Sequence, residues 1–249
     1  MSIRLSVVIP VYRSQAMLPE LHRRLVAALE TIGDPFEIIL VEDCGGDDSW
    51  SVIESLSAAD PRVRGLRLAR NYGQHNALLC GIRAARGELI VTIDDDLQNP
   101  PEEIHRLLVK LDEGCDVVYG YPQAETHGFL RDQASRITKL ALKSAMGVES
   151  ASKVSAFRVF RTRLREAFAA YCSPSVNIDV LLTWGTTRFG SVQVRQDERA
   201  IGDSGYTLRK LINHAINMMT GFSVLPLQIA SVLGIAFGSV GFLVLLYVL

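Results

Sequence analysis

The charged residues of this chain stop well before its C-terminus. All 26 Lys and Arg and all 27 Asp and Glu lie in the first 210 residues, so residues 211–249 contain none. The stretch from Val224 to Leu249 is therefore long and apolar enough to span a hydrocarbon core of about 30 Å. The first 210 residues have an ordinary charge density for a water-soluble protein and can bury a core. We expect a soluble region followed by a membrane segment.

The junction between these two regions is amphipathic. In Leu208–Phe222 the apolar side chains fall on one face of a predicted helix, which favours a helix that lies in the lipid headgroup layer. Arg209 and Lys210 precede the uncharged stretch, and the positive-inside rule places them in the cytoplasm. The sequence thus predicts a cytoplasmic domain at 1–206, an interfacial helix at 207–223 and a transmembrane helix at 224–249. We expect the native protein to continue beyond Leu249 into a second crossing.

Strand-like and helix-like segments alternate along the soluble region. Amphipathic spacing predicts helices over Gln15–Ile32 and Pro101–Glu113, and a third helix beginning near Gln74. This alternation is typical of an α/β fold whose mostly parallel sheet is flanked by helices. Five short runs rich in β-branched residues are the predicted strands: Leu5–Val11, Phe36–Glu42, Val63–Leu68, Glu88–Asp94 and Asp116–Gly120.

Acidic and aromatic residues follow three of these strands. Tyr12 follows the first strand, Asp43 follows the second, and the fourth ends in Asp94-Asp95-Asp96. In parallel sheets ligands bind beyond the carboxyl ends of the strands, so we expect these residues to share one rim. Carboxylates at i and i+2 with a nearby Gln amide are oxygen ligands suited to Mg²⁺ or Mn²⁺ bound with a diphosphate. Asp43 could accept hydrogen bonds from a nucleobase or ribose. Arg70 could either reach phosphate or form a surface salt bridge.

The composition excludes other classes of ligand. A net charge of −1 argues against nucleic acid as a partner, because such proteins usually have a basic surface. The turn after the first strand has no GxGxxG motif, so a dinucleotide-binding fold is not indicated. The four cysteines are far apart and are not spaced as zinc ligands, which favours reduced thiols in the cytosol.

Eight stretches together resemble family 2 glycosyltransferases of the Rossmann-like GT-A fold. Within that family the chain resembles the polyprenyl-phosphate glycosyltransferases, which include dolichol-phosphate mannose synthases, bactoprenol glucosyltransferases and, most similar, undecaprenyl-phosphate 4-deoxy-4-formamido-arabinose transferases. The stretches are Val7–Tyr12, Val41–Asp43, Arg70–His75, Asp94–Ile104, Ser155–Arg158, Glu198–Arg199, Gly202–Tyr206 and Pro226–Leu227.

The resemblance implies a role for each matching residue. Catalysis would involve Asp94, Asp96 and Arg199, with Arg199 at the donor diphosphate. The implied metal ligands are Asp94, Asp96 and Gln98, holding Mg²⁺ or Mn²⁺. The implied contacts of the nucleotide sugar are Pro10, Val11, Tyr12, Glu42, Asp43, Arg70, Asp94, Asp95 and Ser204. The implied contacts of the lipid phosphate are Arg131, Ser135 and Arg136. Arg136 also belongs to a basic and apolar stripe that suits either anionic headgroups or a solvated helix face.

The implied function is inverting transfer of a sugar, from a UDP-sugar, to undecaprenyl or another polyprenyl phosphate during cell-envelope synthesis. The resemblance also implies the bacterial inner membrane, a catalytic domain facing the cytoplasm, and a homo-oligomer, in relatives a tetramer. Two alternatives stay open: a catalytically silent nucleotide-sugar binding protein, and an enzyme that uses a GDP-sugar as dolichol-phosphate mannose synthases do. The silent alternative is motivated by departures from the family pattern at Pro122, Ser152 and Gly205.

Overall fold

The computed structural model describes residues 2–122, 153–197 and 225–248. Within these residues seven strands form one sheet in the order β3-β2-β1-β4-β6-β5-β7, and only β6 runs antiparallel to its neighbours. The predicted α/β class with a mostly parallel sheet is therefore confirmed. The strands are β1 Leu5–Val11, β2 Phe36–Glu42, β3 Val63–Arg67, β4 Leu89–Thr92, β5 Val117–Pro122, β6 Arg158–Arg161 and β7 Phe189–Val194.

The central strands are buried on both faces, which explains their continuous apolar sequences. Every residue of β1 and β2 is buried, and the two strands pair in parallel from Leu5 opposite Phe36 to Val11 opposite Glu42. Alternate residues of β1 enter different cores: Val7 packs in the core on one face of the sheet and Val8 in the core on the other. Helices therefore cover both faces, as parallel sheets require.

Six α-helices are described: α1 Leu18–Ile32, α2 Ser49–Ala59, α3 Gln74–Ala84, α4 Ile104–Asp112, α5 Ile178–Thr183 and α6 Leu225–Val248. Short 3₁₀ segments at Pro101–Glu103 and Thr162–Phe168 join the sheet to its helices. The predicted first helix begins at Leu18 rather than Gln15, and it ends where Gly33 takes a left-handed conformation with φ of 82°. The predicted fourth strand is also shorter, because the chain turns after Thr92.

Helix α3 lies unusually close to the sheet. A Cβ atom added at Gly81 would stand 2.4 Å from Val8 Cγ1 and 3.0 Å from Val41 Cγ2. Only glycine allows this approach, so α3 is held against β1 and β2. The start of α3, at Gln74, is thereby fixed near the carboxyl ends of those strands.

The C-terminal helix α6 belongs to a second structural unit and is described by itself. Its segment Ala230–Val248 has a mean hydropathy of 2.2 and is long and apolar enough to cross a membrane. No other helix in the described part of the chain meets that test. The predicted interfacial helix at 207–223 lies outside the described residues, and the domain bounds stay a prediction.

Candidate active site

The carboxyl ends of β1, β2 and β4 meet at one edge of the sheet and are bonded to each other. The backbone N–H of Tyr12 donates to Asp95 Oδ2 at 3.1 Å, and the Ser14 hydroxyl donates to the same carboxylate oxygen. The backbone N–H of Asp43 donates to the Val11 carbonyl at 2.9 Å. The rim predicted from the sequence is therefore present, and it brings Tyr12, Asp43 and the three consecutive aspartates together.

Backbone strain marks the same three strand ends. Among the described residues, only three residues other than glycine have positive φ: Arg13 at 57°, Cys44 at 53° and Leu97 at 58°. They follow β1, β2 and β4 respectively. Such conformations cost about 1 kcal/mol or more in non-glycine residues and cluster at functional sites. The strain thus supports this edge as the functional one.

The three consecutive aspartates have different partners. Asp94 Oδ1 accepts a hydrogen bond from Gln74 Nε2 at 2.6 Å, whereas Asp95 is committed to the turn after β1. Asp96 Oδ1 accepts from the backbone N–H of Gln98 at 3.1 Å. Asp94 and Asp96 are therefore the two members of the group that do not hold the β1 turn in place.

Negative charge is concentrated at this turn. Desolvation and then the charges of Asp96 and Asp95 raise the pKa of Asp94 to about 7. Burial likewise raises the pKa of Asp95, against the hydrogen bonds from Ser14 and Tyr12 that lower it. A cation at this position would relieve both the desolvation and the mutual repulsion of the carboxylates.

The carboxylates of this turn fit a divalent metal for which protein side chains supply only some of the ligands. Within the described residues, no group of three or more acidic, His or Cys side chains is arranged as a complete metal centre. Mg²⁺ is commonly bound by one or two carboxylates and completed by substrate phosphates and water. Asp94 and Asp96 would serve as those carboxylates. The assignment of Gln98 as a further ligand stays a prediction.

The two acidic residues at the end of β2 are engaged by backbone amides. Asp43 is only 3% exposed, and its two oxygens accept the N–H groups of Tyr72 at 2.7 Å and Gly73 at 2.8 Å. Glu42 is also buried, and its Oε1 accepts the N–H of Gly45 at 2.7 Å. Both carboxylates thus shape the rim, and their direct contact with a nucleotide stays a prediction.

Two exposed tyrosines stand at this rim. Tyr12 is 46% exposed, with the Arg13 guanidinium 5.2 Å from its ring centroid. Tyr72 is 45% exposed, and Arg70 lies 4.7 Å from its centroid. Each ring offers an apolar face with a cation beside it, which suits a planar base that carries phosphate. Sequence reasoning named Tyr12 and Arg70 but missed Tyr72, although its position between Asn71 and Gly73 in the matched motif was a signal.

A buried polar network reaches Thr92 at the end of β4, just before the three aspartates, and sequence reasoning missed it. Arg158 donates from Nη1 to Asp179 Oδ1 and, at 3.1 Å, from Nε to Thr92 Oγ1. The Tyr119 hydroxyl donates to the same Asp179 oxygen at 3.0 Å. Burial and the charge of Asp179 raise the pKa of Tyr119 well above its usual value, so the phenol remains a donor. The network joins β4, β5, β6 and α5.

The structure does not describe the residues predicted to bind the lipid phosphate, nor two of those predicted to bind the nucleotide sugar. Arg131, Ser135, Arg136, Arg199 and Ser204 lie outside the described residues, so their assigned roles stay predictions. Pro10 and Val11 are buried in β1, directly before the exposed Tyr12.

Comparison with known proteins identifies the family. The sequence model of Glycosyl transferase family 2 matches residues 6–172. The chain belongs to that family. It is therefore a glycosyltransferase, and the predicted family and enzyme class are confirmed.

Similar curated sequences share one description. The chain is 38% identical to the undecaprenyl-phosphate 4-deoxy-4-formamido-L-arabinose transferase of Salmonella paratyphi A, across 99% of this chain and 76% of the relative. It is 39% identical to the protein so described in Enterobacter sp. strain 638, across 96% and 73%. These relatives extend over nearly all of the chain, including its C-terminal apolar segment.

Solved structures with low sequence identity share the fold. Glucosyl-3-phosphoglycerate synthase from Mycobacterium tuberculosis, in complex with Mn²⁺ and UDP-glucose, has a TM-score of 0.63 and 16% identity, across 88% of this chain and 79% of that one. TarS 1–349 from S. aureus, in complex with UDP, has a TM-score of 0.53 and 18% identity, across 76% of this chain and 58% of that one. These similarities support the GT-A architecture of the sheet.

Proposed function

We propose that this protein is a membrane-bound, inverting glycosyltransferase that moves a sugar from a UDP-sugar to undecaprenyl or another polyprenyl phosphate. The observation that carries the proposal is the rim at which Tyr12, Asp43 and the Asp94–Asp96 turn are bonded together. The description of the curated relatives supports the acceptor, and a solved neighbour that contains UDP-glucose supports the donor. The apolar α6 supports attachment to the membrane, where such an acceptor resides.

The nucleoside would bind at the end of the rim formed by β1 and β2. Tyr12 and Tyr72 present exposed rings there, and Asp43 holds the backbone of Tyr72 in place. The rings would bind the base by stacking, and Arg70, which lies beside the Tyr72 ring, would bind the phosphates.

Asp94 and Asp96 would hold the divalent metal against the diphosphate. When bound, the metal would neutralise the negative charge that develops on the departing UDP. Asp95 is less suited to this role, because its Oδ2 already accepts from the Tyr12 amide and the Ser14 hydroxyl. Arg199, which the resemblance assigns to the diphosphate, would add a second positive charge.

The acceptor requires little activation by the protein. A phosphomonoester with its second pKa near 6 is already largely dianionic at pH 7. Catalysis therefore depends on aligning its oxygen with the anomeric carbon and on stabilising the leaving group. Direct in-line displacement would invert the anomeric centre. Arg131, Ser135 and Arg136 are the residues proposed to hold the lipid phosphate.

The proposed setting is the inner membrane of a bacterium, with the catalytic domain in the cytoplasm. Arg209 and Lys210 next to the apolar segment favour that orientation. The protein would then take its donor from the cytosol and its acceptor from the lipid phase.

Transfer of label from nucleotide sugar to lipid tests the proposal. Membranes containing the protein are incubated with undecaprenyl phosphate and each of a panel of radiolabelled UDP-sugars and GDP-sugars, with and without Mn²⁺. We expect one UDP-sugar to label an organic-extractable lipid in the presence of Mn²⁺. Labelling only from a GDP-sugar would support the mannose-synthase alternative, and binding of UDP-sugar without transfer to any lipid would overturn the proposal.

A further inference from the structure

One short segment joins the nucleotide end of the rim to its acidic turn. Residues 72–74, here called the connecting segment, run from the exposed Tyr72 through Gly73 to the first residue of α3. Both ends of the segment are bonded to predicted ligand-binding residues. The bonded residues, Asp43 and Asp94, follow different strands, so the contacts arise from the fold and not from neighbours in the sequence.

Asp43 fastens the first end of the connecting segment. Its two carboxylate oxygens accept the backbone N–H groups of Tyr72 and Gly73 at 2.7 and 2.8 Å. The carboxylate is buried, so these bonds are shielded from water and each is charge-assisted. A side chain directly after β2 therefore fixes the backbone that precedes α3.

Gln74 forms the other end and reaches the acidic turn after β4. Its amide Nε2 donates to Asp94 Oδ1 at 2.6 Å. Gly73 has φ of 90°, a conformation that side-chain-bearing residues rarely adopt, and this conformation directs the chain from Tyr72 into the helix. Because Gly81 lets α3 rest directly on β1 and β2, the position of Gln74 is set by the sheet.

We propose that the connecting segment positions the Asp94 carboxylate for the divalent metal, with Gln74 as the positioning residue and Asp43 as the anchor. The inference rests on the proposed function, since it takes Asp94 as a ligand of the metal. Its new content is that Asp43, assigned by resemblance to the nucleotide, also sets metal affinity when no nucleotide is bound. The nucleoside and metal ends of the rim are thereby linked through the protein as well as through the donor.

Binding of Mn²⁺ alone tests this inference. The full chain in detergent is titrated with Mn²⁺ without nucleotide, and free Mn²⁺ is measured by electron paramagnetic resonance. We expect Gln74→Met, which keeps the length of the side chain and removes the donor, to weaken binding about 10-fold, as loss of partners to metal ligands typically does. Asp43→Ala should weaken it in the same direction.

A matched control comes from another amide on the same rim. Gln15 Oε1 accepts the N–H of Asp48 at 2.8 Å and has no bond to Asp94. Gln15→Met makes the same chemical change as Gln74→Met, and we expect its Mn²⁺ affinity to stay within twofold of the parent protein.

Binding of UDP in the presence of EDTA separates positioning from general damage to the fold. We expect Gln74→Met to bind UDP within twofold of the parent when metal is absent. Equal losses of UDP and Mn²⁺ affinity, or unchanged Mn²⁺ affinity in Gln74→Met, would overturn the inference. Asp96→Ala identifies failure of the underlying proposal: Mn²⁺ affinity unchanged in that variant would show that the metal is not held at this turn.

Discussion

The buried ion pair between Arg158 and Asp179 offers a demanding test of the fold below the site. The Arg158 side chain is 2% exposed and that of Asp179 is 7% exposed. Arg158→Met removes one charge and leaves the other in a water-poor environment. Removing one member of such a pair typically costs about 3–5 kcal/mol, and Asp179 keeps only the Tyr119 hydroxyl as a described donor to its Oδ1. We expect a loss of about 4 kcal/mol in the free energy of unfolding.

The double variant Arg158→Met with Asp179→Leu distinguishes the ion pair from simple loss of packing. With both charges gone, neither is left buried without its partner, and replacing both members by apolar residues is often close to neutral. The double variant should therefore be more stable than either single variant. We expect a coupling free energy of at least about 2 kcal/mol between the two positions.

Urea unfolding followed by tryptophan fluorescence provides the measurement. The chain has two tryptophans, Trp50 in α2 and Trp184 directly after α5, so the signal reports the region that contains the sheet and not α6. Thermal unfolding should give a parallel result, with a shift of roughly 10 °C for a single variant, from about 2–4 °C per kcal/mol in a domain of this size. Single-variant losses below about 1 kcal/mol, or strictly additive effects, would refute the reasoning.

Three further predictions concern acid stability, packing and the metal. Burial alone would raise the pKa of Asp116, but hydrogen bonds from Arg188, Thr186 and Arg163 outweigh it and hold the pKa at about 2. Because the folded pKa is depressed, the contribution of Asp116 to the free energy of unfolding is present above about pH 4 and lost as the pH falls to 2. Solvent screening limits this contribution to about 1–2 kcal/mol, because the side chains of Arg163 and Arg188 are both more than 60% exposed. In urea unfolding, Asp116→Asn should be less stable than the parent by this amount at pH 6 and equally stable near pH 2. An equal difference in stability at both pH values would contradict this prediction. Gly81→Ala places Cβ against Val8 and should destabilise by about 1–3 kcal/mol in the same assay; unchanged stability would show that α3 can move away freely. Chelation with EDTA should stop sugar transfer and added Mn²⁺ restore it, and full transfer in EDTA would exclude the metal role.

The sequence predicted the central strands well because each is buried on both faces. The runs Leu5–Val11 and Phe36–Glu42 appear in the structure with unchanged bounds. β6 and β7 were missed for different physical reasons. Arg158–Arg161 has an arginine at each end, so its sequence does not indicate a buried strand. In the structure the charge of Arg158 is neutralised by the buried Asp179. Phe189–Val194 lies at the edge of the sheet and is mostly half-buried, so its apolar pattern is weak.

The site was predictable in its location but less so in its internal contacts. Residues after parallel strands must share one edge, and this alone brought Tyr12, Asp43 and the aspartates together. The partners of Asp43 are backbone amides at Tyr72 and Gly73, and backbone donors have no signature in the sequence. Pairings across such distances along the chain become visible only when the fold is known.

Consecutive aspartates illustrate why residue type and position alone do not assign a role. Asp94, Asp95 and Asp96 have the same side chain, yet the turn directs Asp95 to the amide of Tyr12 while Asp94 meets Gln74. The left-handed conformation of Leu97 is part of this turn, and a bulky residue adopts it only when the surrounding structure enforces it. Since bonds from the turn after β1 fix Asp95, the turn that presents Asp94 and Asp96 is held from the side where the nucleotide would bind. The arrangement of the rim therefore depends on contacts between segments that follow different strands. A variant that loosens the contacts of Asp95 should disturb the acidic turn as much as a substitution within that turn.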